Sequence, residues 1–182
     1  MVILLFGVTC VGKTTAGERL AEKLNYTYLD LDEEIRLVYN CTMEGFIKKF
    51  PFSYKRHIIK SDILLDLIEG YKDNMVIAVS PMFFQEHFDF LIKMPNVLAI
   101  ELQDTAENIF NRLIFTDEND VIYEDYVEYR EQHKDHYMAE LNDDISFFEN
   151  VYDIIEHKYF VDAKPIDVVA EELAEMVNKL MK

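Results

Sequence analysis

The hydrophobic positions of the chain follow two periods in turn, which predicts strands alternating with helices. Continuous apolar runs at 2–6, 75–79 and 97–101 have the length and composition of strands that are buried on both faces. A shorter run at 26–29 predicts a fourth strand, and a fifth falls within 151–161. This alternation predicts an α/β fold, a three-layer P-loop kinase fold with a five-stranded parallel sheet flanked by helices.

Helical periodicity fills the intervals between these runs. The apolar stripes lie at Ala16, Leu20, Ala21 and Leu24, at Ile59, Ile63, Leu64, Leu67 and Ile68, at Ile109 and Leu113, and at Val169, Leu173, Val177 and Leu180. Residues 116–150 are rich in tyrosine and acidic residues and predict an excursion followed by one or two helices. Because no linker or repeat interrupts the pattern, we expect residues 1–182 to form a single domain.

The charge and cysteine content narrow the partners and the compartment. The 182-residue chain has 35 acidic and 18 basic residues and a net charge of −17. Such a surface repels phosphate backbones and anionic lipids, so we expect neither a nucleic acid nor a membrane as partner. Cys10 and Cys41 do not make a disulfide framework. Since Met1 leads directly into the first strand, we expect a cytoplasmic protein, and we expect a monomer.

A complete phosphate-loop motif, G-x-x-x-x-G-K-[ST], follows the first strand. The predicted nucleotide-binding residues of this segment are Gly7, Val8, Thr9, Cys10, Val11, Gly12, Lys13, Thr14 and Thr15. The two glycines let the backbone curl so that its N–H groups point at phosphate oxygens. Lys13 reaches the β- and γ-phosphates, and the Thr14 hydroxyl is placed to ligate Mg²⁺. The sequence therefore predicts a site for ATP with Mg²⁺.

Two aspartates follow the short strand at 26–29. Asp30 and Asp32 should face the phosphate loop, because the carboxyl ends of parallel strands share one crevice. One carboxylate there can hold Mg²⁺ through water, and the other can accept a hydrogen bond from a substrate hydroxyl. The alternative is a solvated acidic helix start.

Together with the phosphate loop, these residues resemble the shikimate kinase family. That family has a strand that ends in D-x-D with an isoleucine three residues later, matched here by Asp30, Asp32 and Ile35. An arginine that grips the substrate carboxylate follows, and Arg56 stands at the matching place. The resemblance implies catalytic roles for Lys13 and Asp32, Mg²⁺ at Thr14 and Asp30, and acceptor binding by Asp32 and Arg56. It also implies an acceptor-binding helical region at 30–70 and a lid-like excursion at 113–126.

The family also holds adenine between an arginine and a proline, which Arg112 and Pro165 resemble. Simpler interpretations remain for each residue outside the loop. Arg56 is one turn from Lys60 and would equally suit a solvated helix face. Arg112 would equally pair with Asp104 or Asp117, and Pro165 is suited to a helix start.

The acceptor half departs from the family pattern. Where the family has a glycine triplet, this chain has Ser80-Pro81-Met82-Phe83, which is bulkier. No lysine or arginine lies between Arg112 and Arg130, so only Arg130 is available near the expected basic lid residue. A second substrate-gripping arginine is not evident around 151–152. We therefore predict that shikimate is a poor acceptor.

The sequence predicts an ATP-dependent phosphotransferase that acts on a hydroxyl of a small molecule and is similar to shikimate kinase. The alternatives are a nucleoside or nucleotide kinase and a nucleotide-binding protein without transfer activity. A GTPase switch would need an N-K-x-D motif, and none is present. A mechanical ATPase would need an acidic strand end, for which Glu101 is the candidate.

Overall fold

The computed structural model contains one sheet of five parallel strands, which confirms the predicted fold class. The strands are Val2–Phe6 (β1), Thr27–Asp30 (β2), Met75–Ala78 (β3), Val97–Gln103 (β4) and His157–Phe160 (β5). Their order across the sheet is β2-β3-β1-β4-β5. The structure describes residues 1–115, 117 and 121–181.

Helices cover the sheet. Those of the described residues are Lys13–Leu24 (α1), Leu31–Tyr39 (α2), Met43–Lys49 (α3), Ser53–Gly70 (α4), Asp89–Ile92 (α5), Ala106–Phe110 (α6), Tyr126–Gln132 (α7), Lys134–Val151 (α8) and Ile166–Leu180 (α9), and a 3-10 helix at Gln85–His87 precedes α5. Helices α1 and α9 pack against each other, and the α9 residues Val169, Leu173 and Val177 are buried.

The three apolar runs form the centre of the sheet. All residues of β1 and β3 are buried, because strands between two helical layers are covered on both faces. The edge strands β2 and β5 are only partly buried. In β5 just one of the four residues is fully buried, so its sequence has no continuous apolar run, and its register could not be predicted.

The predicted element boundaries needed small corrections. Strand β2 begins at Thr27 and extends through Asp30, and β4 continues two residues beyond the predicted run. The helix predicted from Ile109 and Leu113 ends at Phe110. There the Leu113 N–H bonds to the Phe110 carbonyl, three residues back, in a turn tighter than an α-helix.

Because the five strands are parallel, the connection that follows each strand leaves from the same edge of the sheet. The segment at 30–70 forms α2, α3 and α4. The one or two helices predicted within 116–150 correspond to α7 and α8, the second of which extends to Val151. Within the predicted excursion at 113–126, residues 116 and 118–120 lie outside the described residues. None of the described helices is both long enough and apolar enough to cross a bilayer.

Candidate active site

The phosphate loop connects β1 to α1, and two glycines give it its shape. Gly7 has a φ of 142° and Gly12 a φ of 109°, a region that other L-residues rarely adopt. A Cβ atom on Gly7 would also lie 2.5 Å from the Leu102 carbonyl oxygen of β4. The loop therefore needs a glycine at position 7, both for the backbone angles there and because the backbone lies so close to β4.

The Lys13 ammonium closes over this loop. Its Nζ donates hydrogen bonds to the carbonyl oxygens of Gly7 at 2.9 Å and Val8 at 2.8 Å. Burial lowers the pKa of Lys13 to about 8, although the nearby Asp32 carboxylate acts in the opposite direction. The nearby carboxylate therefore offsets only part of the cost of burying the Lys13 charge.

Thr14 and Asp30, the predicted metal pair, are brought together. The Thr14 hydroxyl donates to Asp30 Oδ2 at 2.9 Å, and the Tyr28 hydroxyl donates to the same oxygen at 3.2 Å. The other oxygen, Oδ1, accepts the Asp32 N–H at 3.0 Å, so that Asp30 also caps α2. A hydroxyl beside a carboxylate is the oxygen donor set that Mg²⁺ prefers. The described residues contain no cluster of three metal-ligating side chains, so Mg²⁺ here would need further oxygen ligands from the nucleotide and water.

Asp32 is near two cationic side chains, Lys13 and Lys60. Its carboxylate lines the cavity of the phosphate loop and acts on the pKa values of both Lys13 and Lys60. Its Oδ1 atom is buried and accepts no hydrogen bond from the described residues. A buried carboxylate oxygen without a donor is available to a ligand hydroxyl.

A cavity of about 410 Å³ joins these residues. It is lined by Thr9, Cys10, Gly12, Lys13, Thr14, Thr15, Asp30, Asp32, Ala78, Val79, Ser80, Pro81, Arg112 and Ile114. We call it the phosphate cavity. The side chains of Val8 and Val11, also in the predicted set, are buried in the hydrophobic core, and their role in nucleotide binding stays a prediction. Cys10 has a φ of 60°, and burial raises the pKa of its thiol.

Arg112 lies at the phosphate cavity and is ion-paired. Its Nη2 is 2.6 Å from Asp104 Oδ2, and its Nε donates to the Cys10 carbonyl at 3.3 Å. Burial alone would raise the pKa of Asp104, but hydrogen bonds from Asn108, Arg112 and the Thr105 N–H hold it below its ordinary value. The pairing with Asp104, which the sequence left open as an alternative, is present.

Pro165 is exposed and immediately precedes α9, as expected of a proline at a helix start. It follows β5 and therefore lies at the same edge of the sheet as the phosphate loop. Among the described residues, however, Pro165 is not one of those that line the phosphate cavity. The adenine clamp with Arg112 therefore stays a prediction.

A second cavity, of about 430 Å³, lies beside the phosphate cavity. It is lined by Met43, Phe46, Ile47, Arg56, His57, Lys60, Pro81, Phe83, Asp144, Phe147 and Phe148. We call it the acceptor cavity, and Pro81 lines both cavities. Arg56 lines this cavity, and its Nη1 donates to the carbonyls of Phe50 at 2.8 Å and Pro51 at 2.9 Å.

Sequence reasoning missed Lys60 and His57 as cavity residues. The available signal was their spacing on α4. Lys60 is four residues after Arg56 and three residues after His57, and this spacing places the three side chains near one face of the helix. That spacing cannot tell whether the face meets solvent or a cavity. Burial lowers the pKa of His57 to about 4, so its ring is neutral.

The segment after β3 separates the two cavities. Ser80 and Pro81 line the phosphate cavity, and Phe83 lines the acceptor cavity. Met82 is different from what the sequence predicted, because it is fully buried and its N–H donates to the Tyr152 hydroxyl at 3.1 Å. In the segment where glycines were expected, the large side chains that line the cavities are therefore those of Pro81 and Phe83.

Arg130 is not one of the described residues that line the phosphate cavity. Its Nη1 donates to the Asn111 carbonyl at 2.8 Å, and its guanidinium lies 5.2 Å from the centre of the Phe110 ring. Among the described residues that line the phosphate cavity, Lys13 and Arg112 are the basic ones.

A phosphate loop at the first strand of a 2-3-1-4-5 parallel sheet, with an aspartate at the end of β2, defines the fold class of the P-loop small-molecule kinases. The family model described as shikimate kinase matches residues 9–146, and the chain belongs to this family.

Individual relatives agree with that assignment. The chain is 33% identical over 118 residues to a shikimate kinase of Bacillus pumilus, an alignment that covers 64% of this chain and 62% of the relative. It is 27% identical over 114 residues to a shikimate kinase of Macrococcus caseolyticus, covering 63% of this chain and 66% of the relative. The matches thus span just under two thirds of these relatives.

A solved structure extends the likeness in fold to the full chain. The crystal structure of shikimate kinase from Bacteroides thetaiotaomicron superposes with a TM-score of 0.79 and 20% sequence identity, covering 98% of both chains. At that identity, the superposition shows the fold alone.

Proposed function

We propose that this protein transfers the γ-phosphoryl group of ATP to a hydroxyl of a small molecule. The observation that carries the proposal is the 2.9 Å hydrogen bond from Thr14 to Asp30, which joins the phosphate loop to the end of β2. Thr14, Asp30 and Asp32 line one cavity, which supports a metal site and a phosphoryl acceptor side by side. Membership of the shikimate kinase family supports the same reaction class.

In the proposed reaction the acceptor oxygen forms a bond to the γ-phosphorus. The bond from that phosphorus to the oxygen bridging the β- and γ-phosphates breaks, and ADP leaves. Asp32 accepts the hydroxyl proton, and Lys13 stabilises the charge on the phosphate oxygens. Mg²⁺, held by Thr14 and Asp30, would neutralise phosphate charge. Catalysis then depends mainly on the position and charge of these groups.

The acceptor is proposed only by class. Shikimate is the acceptor implied by the family resemblance, and Arg56 at the acceptor cavity supports an anionic acceptor. The chain has Ser80-Pro81-Met82-Phe83 where the family pattern has glycines, so we predict that shikimate binds poorly. A nucleoside or nucleotide remains the alternative acceptor.

Two aspartate variants test the proposal. Asp32→Asn should reduce phosphoryl transfer at least a hundredfold while ADP·Mg²⁺ binding stays within about twofold, because general-base contributions reach about 10²–10⁴. Asp30→Asn should instead raise the Mg²⁺ concentration needed for half-maximal binding, and asparagine preserves the cap of α2. Calorimetric titration and ATP consumption against a panel of hydroxylated metabolites measure both. Equal effects of the two variants on Mg²⁺ dependence would overturn the assignment of roles.

A nucleotide-binding protein without transfer activity is a second candidate. It is favoured by the engagement of Arg130 with the Asn111 carbonyl, because the candidate for the basic lid residue already has a backbone partner. Tight ADP·Mg²⁺ binding with no phosphorylated product from any member of the panel would support this candidate over a kinase.

A further inference from the structure

The acceptor cavity combines an apolar wall with cationic side chains from one helix. Phe46, Phe83, Phe147 and Phe148 supply aromatic rings, and Arg56 and Lys60 supply the cations. At its mouth Ile47 is 49% exposed and Phe147 50% exposed, so apolar surface is available to a ligand. This composition favours a ligand with a flat apolar body and an anionic group.

Lys60 is the less expected of the two cations. It is half-buried, burial lowers the pKa of its ammonium, and within the described part of the chain it forms neither a hydrogen bond nor an ion pair. The chain has about twice as many acidic as basic residues, so an unpaired half-buried lysine is not explained by a shortage of partners. The Asp32 carboxylate acts on Lys60 from a distance.

Arg56 is only partly engaged. Both of its described hydrogen bonds come from Nη1 and go to backbone carbonyls, which fixes the guanidinium without neutralising it. One turn of α4 separates Arg56 from Lys60, so their cationic groups face the same cavity. Together they provide a preorganised site for one carboxylate.

Few groups in this cavity could satisfy the hydroxyls of a sugar-like ring. His57 is the uncharged polar side chain among the described lining residues. Its side chain is buried, and its Nδ1 has no hydrogen-bond partner in the described residues. The other uncharged lining side chains are apolar, so ring hydroxyls that faced them would stay unpaired, which is unfavourable.

Asp144 of α8 limits the charge of the ligand. It is exposed, it lines the same cavity, and burial together with Glu140 and Asp143 raises its pKa. A carboxylate there repels a second anionic group on the ligand, so the cavity favours one negative charge, bound at α4.

We infer that the acceptor is a monoanionic aromatic hydroxy acid whose carboxylate binds Arg56 and Lys60, and that Lys60 determines this specificity. The inference rests on the proposed function. The ring packs against Phe83 and Phe147, and the hydroxyl points toward Asp32.

The test uses wild-type protein saturated with ADP·Mg²⁺ and three probes. The probes are 3-(hydroxymethyl)benzoate, its neutral amide 3-(hydroxymethyl)benzamide, and shikimate, each titrated by calorimetry. We expect the benzoate to bind at least tenfold more tightly than shikimate. Lys60→Gln should weaken benzoate binding at least fivefold and leave the affinities for the benzamide and ADP within twofold.

Lys55→Gln is the matched control. Lys55 is exposed on the same helix and does not line the cavity, and its substitution changes net charge by the same amount. Shikimate binding equal to or tighter than benzoate binding, no binding of the benzoate, or equal effects of Lys60→Gln and Lys55→Gln would overturn the inference. A failure of wild-type protein to bind ADP·Mg²⁺ would instead contradict the proposed function, so the two failures are distinguishable.

Discussion

Lys13 is the residue whose protonation should respond most directly to nucleotide binding. Its pKa is lowered to about 8 by burial, and phosphate oxygens beside the ammonium would raise it again. Well below pH 8 the side chain is protonated with or without ligand. Above pH 8 it is increasingly neutral in the free protein, so binding must be coupled to proton uptake.

We therefore predict that ADP·Mg²⁺ binding at pH 8 takes up about half a proton, and that affinity falls as the pH rises from 8 to 9. Calorimetry in buffers with different ionisation enthalpies measures the uptake. At pH 6.5 the uptake by this residue should disappear. The Lys13→Gln variant is the control, and the same uptake in this variant would assign the proton to another group.

Arg112 illustrates a residue whose structural role is separable from its predicted role. Because the Asp104 side chain is fully buried, Arg112→Ala would leave its carboxylate without its cationic partner. We expect a loss of about 2–5 kcal/mol in the free energy of unfolding, measured by urea denaturation without nucleotide. If Arg112 also stacks on adenine, the same variant should lose about 0.5–2 kcal/mol in the free energy of ATP binding. The loss in the free energy of unfolding should be the larger of the two.

The double variant Arg112→Ala/Asp104→Asn controls for the unpaired charge. Asparagine at Asp104 keeps the hydrogen bonds to the Thr105 N–H and Asn108 within reach, so part of the lost stability should return. If the single and double variants are equally destabilised, the ion pair is not the cause.

At the scale of elements, α1 lies unusually close to the sheet, and Gly17 makes this possible. A Cβ atom at Gly17 would be 2.7 Å from Cε2 of Tyr28 and 3.3 Å from Cδ1 of Leu5. Tyr28 in turn donates to Asp30, so the packing of α1 on β2 positions the metal-type oxygen pair. The contact between a helix and a strand thus determines the geometry of the site.

Gly17→Ala should lower the free energy of unfolding by about 1 kcal/mol. Overpacking costs about 1–3 kcal/mol, and it is offset by about 1 kcal/mol of helix propensity. Gly70→Ala is the matched control, since nothing lies within 4 Å of its added Cβ, and we expect equal or higher stability. Urea denaturation compares the two, and equal shifts for both variants would contradict the packing argument.

At the scale of the whole molecule, the net charge of −17 opposes the folded state. Raising NaCl from 10 to 200 mM shortens the screening length from about 30 Å to several Å and weakens this repulsion. We predict a rise in Tm of about 2–4 °C, equivalent to roughly 1 kcal/mol for a chain of this size. The rise should vanish near pH 4.6, the isoelectric point of the sequence, and a salt effect that is independent of pH would refute the explanation.

The sequence by itself determined the class of fold and the phosphate loop. Strands β1 and β3 are continuous apolar runs because they are buried on both faces, and β4 begins with such a run at 97–100. Runs of this kind can be recognised without tertiary information. The loop motif is legible for a similar reason, since Gly7, Gly12, Lys13 and Thr14 act within a few residues of one another. The carboxyl ends of the parallel strands lie at one edge of the sheet, and this brings Asp30 to Thr14, as predicted.

Only the tertiary structure decided which side chains complete the site. Asp104 pairs with Arg112, Lys60 enters the acceptor cavity, and Met82 turns into the core. These outcomes depend on how the elements pack, as in the contact of the Met82 N–H with the Tyr152 hydroxyl, seventy residues away. Local periodicity fixes which face of an element is apolar, but the neighbours of a polar side chain are fixed by how the elements pack.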